Sequence, residues 1–432
     1  MFRTKLILRE KRSELKAFWT IANELSKLLN LGKTMDPEKE VETKVQLIQE
    51  GLAEGLFGHI VITSAFWGRL EDYFNGYFPL FSKRNQEDKV ISCLEWVLLS
   101  HPLHRFPVAS PHMVSVIEWL QKSLMQCAPN KPLSHEVINL LEQHKGTREP
   151  TFIFKSLNRN TAANATVTLF EENEIIGHGT TGFTSWQGAL FATDWLLSNF
   201  SESLKVSITY KLYIVPLPIM YLSNAGTCNI TLIMQDSRVI ELGCGVGFLG
   251  LHLLKSIALT ALTLTDCHPE VLKAVNFNVK INFGDISKVD SKENMIQLGK
   301  NGPPNETKAF PWVHSISTDC TVVVDKLDWT HDKGSIYDVD WILGADIVYE
   351  RTLIPSLCQV LQRILRSNPK ATALISCTER SSTTLACFEK ELTERQMQFR
   401  VISRGSFTPA ESLLCSDVSH QKTRIYEIKL HH

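Results

Sequence analysis

The sequence of 432 residues lacks any apolar run long enough to cross a membrane. A spanning helix needs about 20 consecutive apolar residues, whereas the most apolar stretch, 206–222, contains Lys211, Pro216 and Pro218. The amino terminus also lacks the apolar segment and small-residue cleavage site of a signal peptide. We therefore expect a soluble, cytoplasmic protein with no membrane partner.

The sequence has no excess of either charge, with 45 Lys and Arg against 46 Asp and Glu. It also has no long run of Lys or Arg. Binding to the phosphate backbone of a nucleic acid depends on a positively charged surface. The charge pattern therefore predicts that the protein does not bind nucleic acid directly.

Paired cysteines are absent as well. The ten cysteines occur singly, without a C-x-x-C pair and without a Cys/His cluster at zinc-binding spacing. In a chain of this length, scattered cysteines are typical of reduced thiols in an intracellular compartment. We expect no metal site.

The length predicts two or three domains at about 100–200 residues each. Residues 66–150 have helical periodicity and are predicted to form a helical N-terminal region, in which His101 and Pro102 interrupt one helix and Ser134 caps another. This region serves either packing or the binding of a partner. Residues 1–65 are predicted to be an extension of uncertain order, either a solvated amphipathic helix or an ill-defined segment.

Strands and helices alternate after Arg238, which predicts a parallel sheet flanked by helices. The predicted strands are Arg238–Leu242, 261–265, 321–327, 340–344 and 371–377, followed by an antiparallel pair at 399–403 and 424–430. Two stretches do not fit this alternation. One is an atypical insertion at about 202–236, and the other is a polar loop at about 285–318.

The strongest chemical signal is Glu-Leu-Gly-Cys-Gly-Val-Gly over residues 241–247. Alternating glycines let the backbone approach a ligand without Cβ collisions. Two ligand classes use this arrangement: a dinucleotide, since Gly245-x-Gly247-x-x-Gly250 satisfies its fingerprint, and S-adenosylmethionine. Glu241 favours the second, because a carboxylate suits a cationic amino-acid group and would repel a pyrophosphate.

Three further candidates follow the next two predicted strands. Asp266 ends the second strand, where a carboxylate can accept hydrogen bonds from both hydroxyls of a ribose. Trp329 follows the third strand, and its aromatic face is suited to stacking on an adenine. Asp328 beside it is suited to accepting a hydrogen bond from the adenine amino group.

The fourth strand leads into Ala345, Asp346 and Tyr349, at the edge of the sheet where open α/β proteins bind ligands. Ala345 is small enough to let a cofactor pass. The spacing of Asp346 and Tyr349 allows a turn to point both side chains into one mouth. An Asp-x-x-Tyr sequence at this edge suits an aliphatic amine as the methyl acceptor.

Taken together, these motifs resemble the seven-β-strand protein-lysine methyltransferase family, and within it the enzymes that modify elongation factor 2. The resemblance is carried by the glycine motif, by G-T-T-G-F-T-S-W over 179–186, by Asp266-Cys-His268 and by Leu-Asp-Trp329. It covers residues 66–200 and 237–430. It implies an α/β fold, with a Rossmann-like seven-stranded class I S-adenosylmethionine-dependent methyltransferase sheet over residues 151–432 and an N-terminal helical region.

Carried across residue by residue, the resemblance implies roles for the candidates. S-adenosylmethionine would contact Trp186, the turn formed by Gly243, Cys244 and Gly245, and also Trp329 and Ala345. Asp266 would take the ribose. Asp346 and Tyr349 would be catalytic residues that meet the acceptor lysine of a protein substrate, elongation factor 2.

Methyl transfer from a sulfonium is an in-line displacement, so alignment of the amine, methyl group and sulfur is the main task. We expect Asp346 to orient the amine, and the ring of Tyr349 to hold a methylated ammonium. The alternatives are a non-catalytic adaptor on a methyltransferase fold, a methyltransferase for another protein, a small molecule or a nucleic acid, and a nicotinamide-dependent oxidoreductase.

Overall fold

The computed structural model describes residues 37–59, 65–83, 86–148, 150–158, 166–173, 180–197, 234–284, 296, 298, 300–304, 309–332, 334–406 and 422–431. They belong to two compact units that divide between Glu149 and Pro150. Residues 1–36 of the predicted extension lie outside this description, as does most of the predicted insertion at 202–236. Across the described ranges, every helix is too short or too polar to traverse a bilayer.

The first unit is helical. Its described elements are α1 (Pro37–Phe57), α2 (Ala65–Lys83), α3 (Glu87–Leu99), a 3-10 helix (Pro102–Arg105), α4 (Ser110–Cys127) and α5 (His135–His144). As predicted, α3 ends before His101 and Pro102, and the Ser134 hydroxyl caps α5 by accepting a hydrogen bond from the Val137 N–H. A cap of this kind satisfies an N–H that the helix itself leaves free.

Helix α1 lies in the stretch for which a helix or an ill-defined segment was predicted. Its apolar residues recur every three or four positions, which places them on one face. Val45, Ile48, Leu52 and Leu56 on that face are at most 5% exposed. The helix packs against α2, α3 and α4. The helical alternative therefore holds for this part of the chain, and the helix is packed into the unit instead of being solvated.

The second unit begins with a hairpin of β1 (Phe152–Asn158) and β2 (Thr166–Glu172), followed by helix α6 over 187–197. The remaining elements are β3 (Arg238–Leu242), α7 (Phe248–Ser256), β4 (Ala261–Asp266), α8 (Pro269–Phe283), β5 (Trp312–Ser315), β6 (Thr321–Lys326), β7 (Trp341–Ala345), α9 (Ile354–Ser367), β8 (Thr372–Thr378), α10 (Ser382–Glu394), β9 (Met397–Ser406) and β10 (Lys422–Leu430).

The main sheet has the strand order β5-β6-β4-β3-β7-β8-β10-β9. Strands β6, β4, β3, β7 and β8 are parallel, and β10 joins β8 and β9 in antiparallel fashion. The chain proceeds outward from β3 to β4 and β6, then returns to β7 on the other side of β3. The predicted Rossmann-like fold is confirmed, and its ligand crevice is expected at this reversal, at the carboxyl ends of β3 and β7.

An eighth strand joins the seven that were predicted. Strand β5 pairs antiparallel with β6 at the edge of the sheet, with Val313 opposite Val323. It lies inside the stretch 285–318, which was predicted to be a polar loop. Four residues are too few to show an alternating pattern among polar neighbours. Burial of the Trp312 side chain, which is 7% exposed, favours the strand.

Two asparagines on α8 hold the hairpin beside the sheet. The Asn278 side chain accepts a hydrogen bond from the Phe170 N–H at 2.7 Å and donates one to the Val246 carbonyl at 2.9 Å. The Asn282 side chain accepts from the Thr168 N–H at 2.9 Å and donates to the Thr168 carbonyl at 2.6 Å. Positions four apart lie on one face of a helix, so the pair follows alternate residues of β2 and satisfies its backbone groups.

Replacing Asn282 with Ala should lower the free energy of unfolding by about 1–3 kcal/mol, because two backbone groups of β2 lose their partner. Urea denaturation measures this change. The control is Asn301→Ala at an exposed asparagine, which should change stability by less than about 0.5 kcal/mol. Equal effects of the two substitutions would contradict the role given to Asn282.

Candidate active site

The glycine motif forms a tight loop between β3 and α7. Gly243, Gly245 and Gly247 have φ values of +59°, +53° and +86°, a region that other residues rarely adopt. A Cβ on Gly243 would lie 2.8 Å from Ile347 Cγ2, and one on Gly245 would lie 2.9 Å from the Gly182 carbonyl oxygen. The loop therefore needs glycine for both its conformation and its close contacts.

The Asp266 carboxylate binds this loop. It accepts hydrogen bonds from the Gly245 N–H at 3.2 Å and from the His268 N–H at 3.1 Å. Burial raises the pKa of Asp266, and the two N–H groups oppose that shift. The structure thus brings together the glycine loop and the carboxylate that the sequence predicted for the ribose. Cys244 is buried, with 7% of the residue exposed, and its backbone N–H donates a hydrogen bond to the Thr265 carbonyl.

Glu241 lies beneath the loop. Its side chain accepts a hydrogen bond from the Gly250 N–H in α7 at 2.9 Å, and the residue is 2% exposed. Burial raises the pKa of Glu241 to about 8, and the nearby Asp266 carboxylate adds to the shift. The structure shows Glu241 bonded to the first turn of the helix. Its predicted contact with a ligand remains a prediction.

The Trp329 ring lies against the glycine loop at Gly243. It is 3.4 Å from the position that a Cβ on Gly243 would take. The indole Nε1 is buried and has no hydrogen-bond partner among the described residues. An aromatic ring with an unused donor beside a glycine loop is suited to a planar, polar ligand.

The Asp328 carboxylate is turned toward its own loop. It accepts hydrogen bonds from the N–H and the hydroxyl of Thr330, at 3.0 Å and 2.6 Å, and lies 3.0 Å from His331 Nδ1. The bond from the Thr330 hydroxyl is the largest cause of the lowered pKa of Asp328. These local contacts stabilise the turn after β6. The predicted contact of Asp328 with an adenine stays a prediction.

The segment 180–186, which precedes α6, contacts the glycine loop at Gly245. Gly182 contacts the Gly245 position, as described above, and the Trp186 indole donates to the Thr181 carbonyl at 2.9 Å. The hairpin supports this segment, since the Ser185 hydroxyl bonds to the buried Glu171 carboxylate, which also pairs with Lys155 at 3.2 Å. Trp186 thus belongs to the segment that contacts the glycine loop, and its predicted contact with S-adenosylmethionine stays a prediction.

Asp346, directly after Ala345 at the end of β7, has a φ of +53°, and its carboxylate is 4% exposed. It accepts hydrogen bonds from the Gly188 N–H at 2.9 Å, from the Thr378 N–H at 2.7 Å and hydroxyl at 3.0 Å, and from Arg380 Nη2 at 3.1 Å. These donors occupy the carboxylate. The structure therefore shows Asp346 as a link between chain segments, whereas the sequence predicted a side chain open to an amine.

Tyr349 is open to solvent, with 57% of the residue exposed. Partial burial raises the pKa of its hydroxyl, and Cys267 and Asp266 contribute to the shift by charge. The two predicted catalytic residues thus differ in character: Tyr349 is accessible, and Asp346 is enclosed.

Three residues around Asp346 were missed by sequence reasoning. Thr378 ends β8 and Arg380 lies two residues beyond it, and that position at the carboxyl edge was a usable signal. Gly188 follows Trp186 by two residues, and a Cβ there would lie 2.7 Å from the Asp346 carboxyl carbon. The sequence offers no sign of that contact.

The arrangement fits S-adenosylmethionine. The glycine loop permits close approach of a ligand, the Asp266 carboxylate at the end of β4 can accept hydrogen bonds from a ribose, and the Trp329 ring presents an aromatic face with an unused Nε1–H donor. Tyr349 adds an exposed aromatic ring at the neighbouring strand end. Such a site can hold a nucleoside next to an acceptor group.

Known lysine methyltransferases have sequences similar to that of this chain. A family model described as lysine methyltransferase matches residues 173–303 and 311–395. The protein-lysine N-methyltransferase EEF2KMT of Bos taurus is 28% identical over 232 residues, which cover 52% of this chain and 55% of that protein. The human protein of the same name is 26% identical, over 56% of this chain and 59% of the relative.

The protein-lysine N-methyltransferase EFM3 of Chaetomium thermophilum is 25% identical, over 51% of this chain and 50% of that protein. The chain thus spans about half the length of the curated relatives that it matches. Among solved structures, a methyltransferase from Pyrococcus furiosus is 13% identical over 54% of this chain and 100% of its own, with a TM-score of 0.30. That similarity is too low to support a conclusion.

Replacing Gly245 with Ala should lower the affinity for S-adenosylmethionine at least tenfold, because the new Cβ displaces the Gly182 carbonyl and the left-handed backbone is strained by about 1–2 kcal/mol. Calorimetric titration measures the affinity. Gly146→Ala is a matched control, since Gly146 has a φ of +72° with open space around the Cβ position. Equal affinities of the two variants would contradict the proposed role of the loop.

Glu241→Gln keeps an acceptor for the Gly250 N–H but cannot ionise. In the wild type, the folded-state pKa is about 8 against an ordinary value of 4.5. The folded state therefore retains a proton between these values, and stability falls as the pH rises through this window, by up to about 1.4 kcal/mol per pH unit.

Urea unfolding at about pH 5 and about pH 8 tests this prediction. Relative to the wild type, the Gln variant should gain stability as the pH rises. A difference between the two proteins that is the same at both pH values would show that Glu241 does not carry a raised pKa.

Proposed function

Because this chain belongs to the lysine methyltransferase family, we propose that it transfers the methyl group of S-adenosylmethionine to the side-chain amine of a lysine in a protein, with elongation factor 2 as the substrate. The observation that carries this proposal is the glycine loop bonded to Asp266 at the reversal of strand order, beside an accessible Tyr349.

Residues of the loop and its neighbours would hold the cofactor. Asp266 would accept hydrogen bonds from the ribose hydroxyls, Trp329 would pack on the adenine, and the backbone around Gly243 and Gly245 would lie against the rest of the nucleoside. Trp186 closes the site from the segment before α6. When bound, S-adenosylmethionine supplies an electrophilic methyl group on a positively charged sulfur.

The acceptor lysine must arrive as a neutral amine. Free lysine has a pKa near 10.4, so the ammonium form, which lacks a lone pair, dominates at neutral pH. Desolvation and nearby positive charge both favour the neutral form. The ring face of Tyr349, against which the lysine side chain packs, would supply part of the desolvation, and the sulfonium of S-adenosylmethionine would supply the positive charge.

Asp346 acts in this proposal by holding the site together. Its carboxylate joins the start of α6, through Gly188, to the ends of β7 and β8, through Thr378. It is too fully hydrogen-bonded to serve as a general base. Displacement of the methyl group requires alignment more than base catalysis, so a rigid wall built on Asp346 suits the reaction.

Elongation factor 2 is proposed because the motifs along residues 179–186, 241–247, 266–268 and 327–329 resemble those of enzymes that modify it, and because relatives of this chain bear the name EEF2KMT. The experiment is mass spectrometry of elongation factor 2 after incubation with this protein and isotopically labelled S-adenosylmethionine. A labelled methyl group on one lysine supports the proposal. An unmodified substrate, with cofactor binding verified by calorimetry, would refute it.

Substitutions of Tyr349 test the acceptor side. Tyr349→Ala should lower kcat/KM for elongation factor 2 by about two- to thirtyfold, because the loss of the ring removes about 0.5–2 kcal/mol of contact with the positive charge that develops on the lysine nitrogen during methyl transfer. Tyr349→Phe is the matched control and should stay within about twofold of the wild type. Both variants should bind S-adenosylmethionine normally. A Phe variant as impaired as the Ala variant would assign the effect to the hydroxyl.

A further inference from the structure

Arg380 lies between two residues of the site. Its Nη2 donates to Asp346 Oδ2 at 3.1 Å, and its guanidinium lies 4.8 Å from the centre of the Trp186 ring. The Arg380 side chain is 38% exposed, whereas that of Asp346 is 4% exposed. The guanidinium therefore forms the outer side of an ion pair whose inner side is enclosed.

The other donors to Asp346 are neutral. Gly188 and Thr378 contribute two N–H groups and a hydroxyl, which hydrogen-bond to the carboxylate without balancing its charge. Arg380 supplies a formal positive charge. Removing it would leave an enclosed, hydrogen-bonded anion at the edge of the sheet where the acceptor is expected.

We propose that Arg380 is a positioning residue that cancels the charge of Asp346, so that the incoming lysine is not held there as an ammonium ion. This inference rests on the proposed function. A lone carboxylate stabilises a nearby ammonium and raises its pKa, typically by about 1–3 units. With the carboxylate already paired, Asp346 gives the lysine no reason to keep its proton.

Charged groups on the adjoining strands and helix are paired with one another. Glu379, next to Arg380 in sequence, binds Arg424 at 2.7 Å and Arg404 at 3.5 Å. Glu389 on α10 also binds Arg424, at 3.3 Å. Among the described residues, Arg380 is the cation that pairs with Asp346, because Arg404 and Arg424 bind Glu379 and Glu389 instead.

The groups on the Tyr349 side are acidic or neutral. Asp266, Cys267 and Glu350 interact with the Tyr349 hydroxyl by charge, and the Asp266 carboxylate is bonded to the glycine loop. They are present in every variant below, so their effect on the lysine is constant across the comparison.

The test compares the wild type with Arg380→Gln, Arg380→Lys, Asp346→Asn and the double variant Asp346→Asn/Arg380→Gln. Initial rates of labelled methyl transfer to elongation factor 2 are measured from about pH 6.5 to about pH 10, and kcat and KM are determined separately at each pH. Affinity for S-adenosylmethionine is measured by calorimetry and should stay within about threefold in Arg380→Gln.

In a plot of kcat against pH, Arg380→Gln should move the rising limb to higher pH by about one unit or more. This shift corresponds to about a tenfold loss of kcat near pH 7.5, with no increase in KM. Arg380→Lys should keep the limb in place, because it keeps the charge. The double variant should return the limb toward that of the wild type, because it removes both charges.

A loss of kcat that is equal at every pH would overturn the proposal, since that is the signature of damaged packing alone. A double variant in which the two losses multiply would overturn it as well. Arg380→Lys that shifts the limb as far as Arg380→Gln would show that the charge is not the active feature.

Unfolding provides a readout that does not depend on activity. The urea midpoint of Arg380→Gln should lie below that of the wild type, and adding Asp346→Asn should restore part of the loss, because the unpaired enclosed charge is then gone. A wild type that binds cofactor but does not methylate elongation factor 2 would overturn the proposed substrate. The unfolding series then tests the ion pair on which the inference depends, and an unchanged midpoint in Arg380→Gln would overturn the inference.

Discussion

The carboxylate of Asp346 joins parts of the chain that lie far apart in sequence. Its donors Gly188, Thr378 and Arg380 are 158, 32 and 34 residues away. A carboxylate with 4% exposure is tolerated only when its lone pairs are satisfied. The geometry at the carboxyl ends of β7 and β8, and the place where α6 begins, therefore depend on this group.

The segment 182–188, which includes the first two residues of α6, is fixed at both of its ends. At one end, the Gly182 carbonyl is so close to Gly245 that a Cβ on Gly245 would lie 2.9 Å from it. At the other end, Gly188 is held against Asp346 without room for a side chain. Trp186 lies between these contacts. The glycine loop and the Asp346 cluster thus position one wall of the site together, although the wall precedes the sheet in the chain.

Much of this fold is predictable because its signals are local. The β3 strand, the glycine loop and α7 are adjacent in sequence, and the order of strands and helices fixes where their carboxyl ends meet. The positions of Asp266 and Trp329 beside the glycine loop could be predicted for the same reason, since Asp266 ends β4 and Trp329 lies three residues after β6.

The directions of side chains were less predictable. Residues 239–242 of β3 are all buried, so alternation does not show on which side the Glu241 carboxylate lies. The partners of Asp346 come from two segments, one at Gly188 and one at Thr378 and Arg380, and require the tertiary structure. Strand β5 is short, and its pairing with β6 depends on contacts that no local pattern shows.

The most direct test of the account is a crystal structure with bound S-adenosylhomocysteine. We expect the ribose hydroxyls on the Asp266 carboxylate, the adenine against Trp329, and Asp346 still bonded to Gly188, Thr378 and Arg380. A ligand bound away from the glycine loop, or an Asp346 carboxylate released from these donors and turned to the ligand, would contradict it.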